Sequence, residues 1–238
     1  MEATLERLRI AASGEQVPLV YREAPPAVTT DRLPLAPVYQ GNPQKHAVAL
    51  AINVAWGEQF LPQILRFLEE QGVKATFLRV GEWVEEHPQE ALAIAGAGHE
   101  VAGHGYSPVA FETLTAEQAE DQLRRAEEAI QAVTGRKPAF FSPHKGAFSP
   151  QLLRVAAERG YETVLWPVDT VDWAQPGVER LLGRVLREAR NGAIVLMHPT
   201  AQTAEALGPL IRGLRRKGFR IVTVGTLLSP SPLGRDQP

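Results

Sequence analysis

The chain contains no cysteine. Disulfides, thiolate nucleophiles and cysteine-type zinc sites are thereby excluded, and any metal would need histidine, carboxylate or water ligands. No uninterrupted apolar stretch approaches the roughly 20 residues that a bilayer span requires, so no membrane span is expected. Neither sign of charge dominates. The 25 Lys and Arg against 27 Asp and Glu leave a net charge of −2, with no electrostatic footprint for nucleic acid. A Gly-rich phosphate loop is also missing, which argues against a nucleotide enzyme. The opening MEATLERLRIAASGEQ has no charged region leading into an apolar core, so no signal peptide is expected.

What is present is enough for one sizeable core. With 238 residues, 44% of them hydrophobic, the chain reads as one α/β domain preceded by an extension. Residues 17–43 carry Pro18, Pro25, Pro26, Pro34, Pro37 and Pro43, which remove backbone donors and favour extended conformations. The expected division is a Pro-rich extension over 1–43 and a folded domain over 44–238.

From His46 onward, short β-branched runs alternate with longer amphipathic segments. Strands are expected over 47–53, 74–80, 99–102, 139–141, 162–166, 193–197 and 220–224. Helices are expected over 58–71, 82–97, 115–134, 149–159, 177–190 and 201–217. Thr115-Ala-Glu-Gln118 and Ser149-Pro150 have the chemistry of helix starts. Gly72, Gly98, Gly135, Gly160, Gly192 and Gly218 fall just past expected helix ends, where a left-handed residue is wanted. Such alternation predicts parallel strands, in an open sheet or in a barrel with helices outside.

The unusual side chains gather at one end of this scheme. Asn53 and Trp56 follow the first strand, His104 the third, and Ser142, His144 and Lys145 the fourth. Asp169, Asp172 and Trp173 follow the fifth, and His198 the sixth. All leave the C-terminal ends of strands, where parallel α/β folds place their sites. Each also has an ordinary reading. Asp169 and Asp172 have the chemistry of turn formers; His104 and His198 could be satisfied structural histidines; Trp56 and Trp166 could be core. His99 is expected to pack or cap, and His46 and His87 to lie on the surface. Their common rim favours a site.

The blocks NVAWGE, GVKATFL, GEWVEEHP, GHEVAGHGYSP, FSPHKGAF, LWPVDTVDW and AIVLMHP, in this order, resemble the polysaccharide deacetylase family, with its chitooligosaccharide and peptidoglycan deacetylases. The first block is similar to that of the sporulation-type branch. The resemblance covers about residues 45–228. It implies a distorted (β/α) barrel of about seven parallel strands with a substrate groove across its C-terminal face. It further implies a hydrolase that removes N-acetyl groups from a cell-wall or chitin-type glycan, and an extracytoplasmic or envelope location, although the opening residues fit a cytoplasmic one equally. In the family, a divalent metal, often zinc, is held by one Asp and two His, an Asp acts as base on the metal-bound water, and a late His protonates the leaving amine.

Mapped onto this chain, the base position falls on Asn53, whose amide cannot take up a proton near neutral pH. The metal Asp falls on Val54 and the second metal His on Pro108, while His104 matches the first. Ser142 replaces an Arg that tunes the base. By contrast, Asp172, Trp173 and His198 match the acid side, and Asp169 matches its block. One matched ligand is short of the three that catalytic zinc usually needs. Activity is therefore expected to be impaired, with Trp173, Asp169, Trp56, Ser142 and His144 as substrate-binding candidates. A rebuilt zinc site on His104, His144 and His198, with Asp169, Asp172 or Glu58 as base, is the catalytic alternative. A glycan-binding or interaction protein on the same scaffold is the non-catalytic one.

Overall fold

A computed structural model describes residues 35–231 and Leu233. The expected extension therefore lies outside the described residues over 1–34. From Leu35 onward the chain forms one unit.

The first strand, β1 (Ala47–Val54), is wholly buried and shows how the two faces of the sheet are built. Val48, Leu50, Ile52 and Val54 point one way, into the layer beneath the helices. Ala47, Ala49 and Ala51 point the other way, into the interior of the curved sheet. Large residues fill the broad outer layer, and small ones let opposite strands approach inside. Asn53 falls in phase with the alanines, so it ends the inner face at its C-terminal rim.

The remaining strands are β2 (Thr76–Arg79), β3 (Glu100–Gly103), β4 (Phe140–Phe141), β5 (Glu162–Thr163), β6 (Val168–Asp169), β7 (Ile194–Met197) and β8 (Arg220–Val222). All pair in parallel. Seven follow the order β5-β4-β3-β2-β1-β7-β6, and β8 joins beside β1. The fold is an α/β distorted barrel, a curled parallel sheet ringed by helices. Val38 bridges to Val164 and Gln40 to Ala193, so residues 38–41 reach from beside the end of β5 to the start of β7.

The helices are α1 (Leu61–Glu70), α2 (Gly81–Glu86), α3 (Pro88–Gly96), α4 (Ala116–Thr134), α5 (Pro150–Glu158), α6 (Val178–Glu188), α7 (Ala201–Arg216) and α8 (Val224–Leu228). Thr115 and Gln118 form the expected capping box at α4, and Ser149 caps α5 through the Leu152 N–H. The six expected glycines all have positive φ.

Three local expectations are corrected. The helix over 82–97 is two helices, because Pro88 has no N–H to continue the ladder. The strand over 162–166 stops at Thr163, and β6 begins only after Pro167. The strand over 220–224 ends at Val222, where Thr223 caps α8. Both ends of α8 are held by charge of the right sign for its dipole. Glu100 accepts from the Gly225 N–H at 3.0 Å. The buried Lys45 donates to the carbonyls of Thr226, Leu227 and Ser229. This plug closes the end opposite the rim and leaves the rim as the open face.

Candidate functional site

The C-terminal rim encloses a pocket of about 390 Å3 lined by Asn53, Trp56, His104, His144, Lys145, Trp166, Asp169, Trp173 and His198, together with Ala55 and Leu196. Parallel strands deliver these side chains from positions far apart in sequence to one place.

The floor is set by His104, which leaves β3 with its N–H on the Arg79 carbonyl at 2.8 Å. Its Nδ1 lies 2.7 Å from the Ser142 carbonyl. A carbonyl only accepts, so Nδ1 carries the proton and the neutral ring presents a bare lone pair at Nε2. Asn53 Nδ2 stands 3.3 Å from that lone pair and donates to it. The amide oxygen, Asn53 Oδ1, is buried without a partner among the described residues. His144 follows β4 and packs its ring on His104 with centroids 4.0 Å apart.

Both imidazoles are held neutral. Burial, and secondarily the neighbouring His144, hold His104 well below the usual histidine range. Burial and the charge of Lys145 bring His144 down to about 4.

One wall is organised by Asp172, which has 0% exposure. Its Oδ1 lies 2.8 Å from His198 Nδ1. Its Oδ2 accepts from the His198 N–H at 2.6 Å and from Thr203 Oγ1 at 2.5 Å. Asp172 sits in a short turn flanked by Val171 (φ 55) and Gln175 (φ 51). A β-branched residue in the left-handed region is strained, and this turn projects Trp173, 60% exposed. Asp169 steadies the turn by accepting the Val171 N–H at 2.7 Å.

The adjoining lip is fixed by backbone contact. Gly57 has φ 84, and a Cβ there would lie 2.1 Å from the Pro199 carbonyl oxygen. The glycine lets the loop after β1 press onto the loop after β7, and Trp56 thereby stacks on His198, with planes 4° apart and centroids at 5.9 Å.

Three sequence-derived residues stand elsewhere. Val54 belongs to the core layer beneath the helices. Pro108 is exposed on the loop after β3 and has no donor atom for a metal. Ser142 is buried, contributing its carbonyl to His104, while its hydroxyl has no partner among the described residues. Outside the pocket, His99 is buried and accepts the Ala75 N–H at Nδ1, and His46 is exposed. Thr203 and the Gly57–Pro199 contact were not legible in the sequence: Thr203 acts from a later helix, where an isolated Thr gives no signal.

The donor set does not fit a divalent metal. His104 Nε2 is taken by the Asn53 amide, and the positions of Val54 and Pro108 offer no ligand. His198 has its Nδ1 on Asp172, which leaves Nε2 as its single free donor. Among the described residues, no group of three His, Cys, Asp or Glu is placed to hold a metal ion. His104, His144 and His198 line one pocket without forming such a group.

Comparison with known proteins agrees with this geometry. Residues 40–164 match the Polysaccharide deacetylase family. The chain is 39% identical over 233 residues to the uncharacterized protein YlxY of Bacillus subtilis, covering 98% of this chain and 73% of that one. It is 29% identical over 195 residues to the peptidoglycan-N-acetylmuramic acid deacetylase PdaA of the same organism, covering 80% and 74%. Among solved structures, BA3943 of Bacillus anthracis, described as a CE4 family pseudoenzyme, aligns with TM-score 0.84 and 40% identity over 87% of this chain and 74% of that one. A mutant of BA3943 is described as having restored enzymatic activity. With the barrel, the rim site and these matches together, this chain belongs to the polysaccharide deacetylase family.

Proposed function

We propose that this protein is a deacetylase-fold glycan reader: it binds an N-acetylated glycan of peptidoglycan or chitooligosaccharide type and does not hydrolyse it. The observation that carries this reading is the Asn53–His104 hydrogen bond. The lone pair that a metal would need is engaged, and the group facing it is an amide that cannot serve as a base. The relation to BA3943, a pseudoenzyme by description, supports the same reading.

The pocket walls support binding. Trp56, Trp166 and Trp173 line it, and the exposed indoles of Trp56 and Trp173 offer apolar faces to the C–H faces of a pyranose. Asp169 and His144, which line the same pocket, complete the proposed binding set. His198 and Asp172 are the retained acid side, and without a metal or base opposite them they hold the wall. The substrate class follows from relatives such as PdaA, a peptidoglycan-N-acetylmuramic acid deacetylase by name.

Calorimetry with chitotetraose and with a muramic-acid-containing peptidoglycan fragment, paired with acetate detection in zinc-supplemented buffer, tests this. Binding without acetate release is expected. Acetate release would make the protein a hydrolase, and absence of binding to either glycan would remove the glycan reading.

A further inference from the structure

The net charge of −2 is unevenly spread along the chain. Residues 184–190 and 212–220 hold eight Lys and Arg against one acid, Glu188, a net of +7, so the rest of the chain carries −9. The first stretch closes α6, and the second closes α7 and enters β8. Helices that cross over between parallel strands start at the rim and finish at the opposite end of the barrel. Both stretches therefore arrive at the end that faces away from the pocket. Cationic side chains suit the last turn of a helix, and the shared direction of α6 and α7 turns that local preference into one charged face.

Contacts between the elements hold this face together. A Cβ on Gly213 would lie 2.8 Å from a methyl of Leu186, so α7 rests directly on α6, and Lys217 donates to the Leu186 carbonyl. Arg215 donates to the Gln71 carbonyl at 2.7 Å, just past the end of α1. Arg190 donates to Gln40 Oε1 at 3.2 Å. These acceptors are neutral, so they place the cations without cancelling their charge. Arg212 and Arg216, one turn apart on α7, are exposed. Of the acids on these helix ends, Glu188 pairs with Arg187 and Glu70 with Arg66, while Glu69 borders the face. Tyr39, 48% exposed, directly precedes Gln40.

We infer that this face docks the protein on an anionic lipid bilayer, with the rim pocket turned away from the membrane. Basic side chains are drawn to anionic headgroups, and an exposed Tyr beside them suits the headgroup layer. The cations cap neighbouring helix ends side by side, the arrangement that meets a plane of headgroups, and Tyr39 adds a group that a phosphate polymer would not use. The −9 on the rest of the chain is repelled by the same surface, which favours a single orientation. None of this depends on the glycan reading above.

Vesicle cosedimentation of the full chain tests the inference, using phosphatidylglycerol–phosphatidylcholine vesicles, phosphatidylcholine vesicles and soluble polyphosphate. Wild type is expected to partition at least about tenfold more strongly onto the anionic vesicles, and to leave them as salt is raised. Arg212→Gln combined with Arg216→Gln should weaken that binding about tenfold. Arg125→Gln combined with Arg154→Gln, the same charge change on the exposed faces of α4 and α5, should weaken it less than about twofold, because those sites lie beyond the screening length from the docked face. Equal partitioning onto both vesicles, no partitioning, or equal losses in the two double variants overturns the inference. Binding of polyphosphate without binding of vesicles also overturns it, and assigns the face to a linear polyanion instead. The wild-type comparison decides the matter even if a variant fails to fold.

Discussion

The carboxylate of Asp172 grips His198 at two points, its backbone N–H at 2.6 Å and its Nδ1 at 2.8 Å. Thr203 supplies a third donor to the same group. A carboxylate with no solvent exposure is stable in its charged form only with such a set. Asp172 is thus a structural tie between the turn after β6, the end of β7 and helix α7.

Asp172→Ala is therefore expected to destabilise the fold by about 2–4 kcal/mol, because it strands buried donors as well as deleting contacts. Urea unfolding of wild type and variant measures this. A loss below about 0.5 kcal/mol would mean that the tie is not structural.

Gly57→Ala is expected to cost about 2 kcal/mol or more, since alanine disfavours φ 84 and its Cβ would strike the Pro199 carbonyl. For a chain of this size that lowers Tm by about 4–8 °C. The same change should disturb the Trp56–His198 stack, visible as altered Trp fluorescence. An unchanged Tm would contradict the close approach of these two loops.

Acid should destabilise the protein through histidines that fold in neutral form. Burial, with a smaller push from Lys74, brings His99 from 6.5 down to about 4. As pH falls from about 6.5, the unfolded chain takes up this proton before the folded one does. The stability that His99 contributes is complete above about pH 6.5 and is lost as pH drops toward about 4, up to about 3 kcal/mol. His144 acts in the same direction over the same range. Unfolding free energies measured across this window should slope less steeply in His99→Gln than in wild type. Parallel slopes would remove His99 from the account.

How much of this was legible beforehand depended on the range of the interaction involved. The alternation of β1, the Thr115–Gln118 box and the glycines at helix ends are local signals, and the structure follows them. Pro88 and Pro167 carry equally local breaks, yet the apolar pattern around them reads through and merges elements that the missing N–H separates. The rim residues could be gathered from sequence because parallel strands bring their C-terminal ends to one face. What no spacing reveals is which atom faces which. The tautomer of His104 depends on the Ser142 carbonyl, 38 residues away, and the orientation of Asn53 depends on that tautomer. Asp172 depends on Thr203, 31 residues further on.

The account turns on His104 Nε2 being occupied by the Asn53 amide rather than offered to a metal. Zinc titration of the purified, chelator-treated protein, followed by calorimetry and elemental analysis, tests this directly. The expected result is no stoichiometric zinc retained after desalting and no saturable uptake in the micromolar range. One zinc retained per chain, lost on His104→Ala, would contradict it.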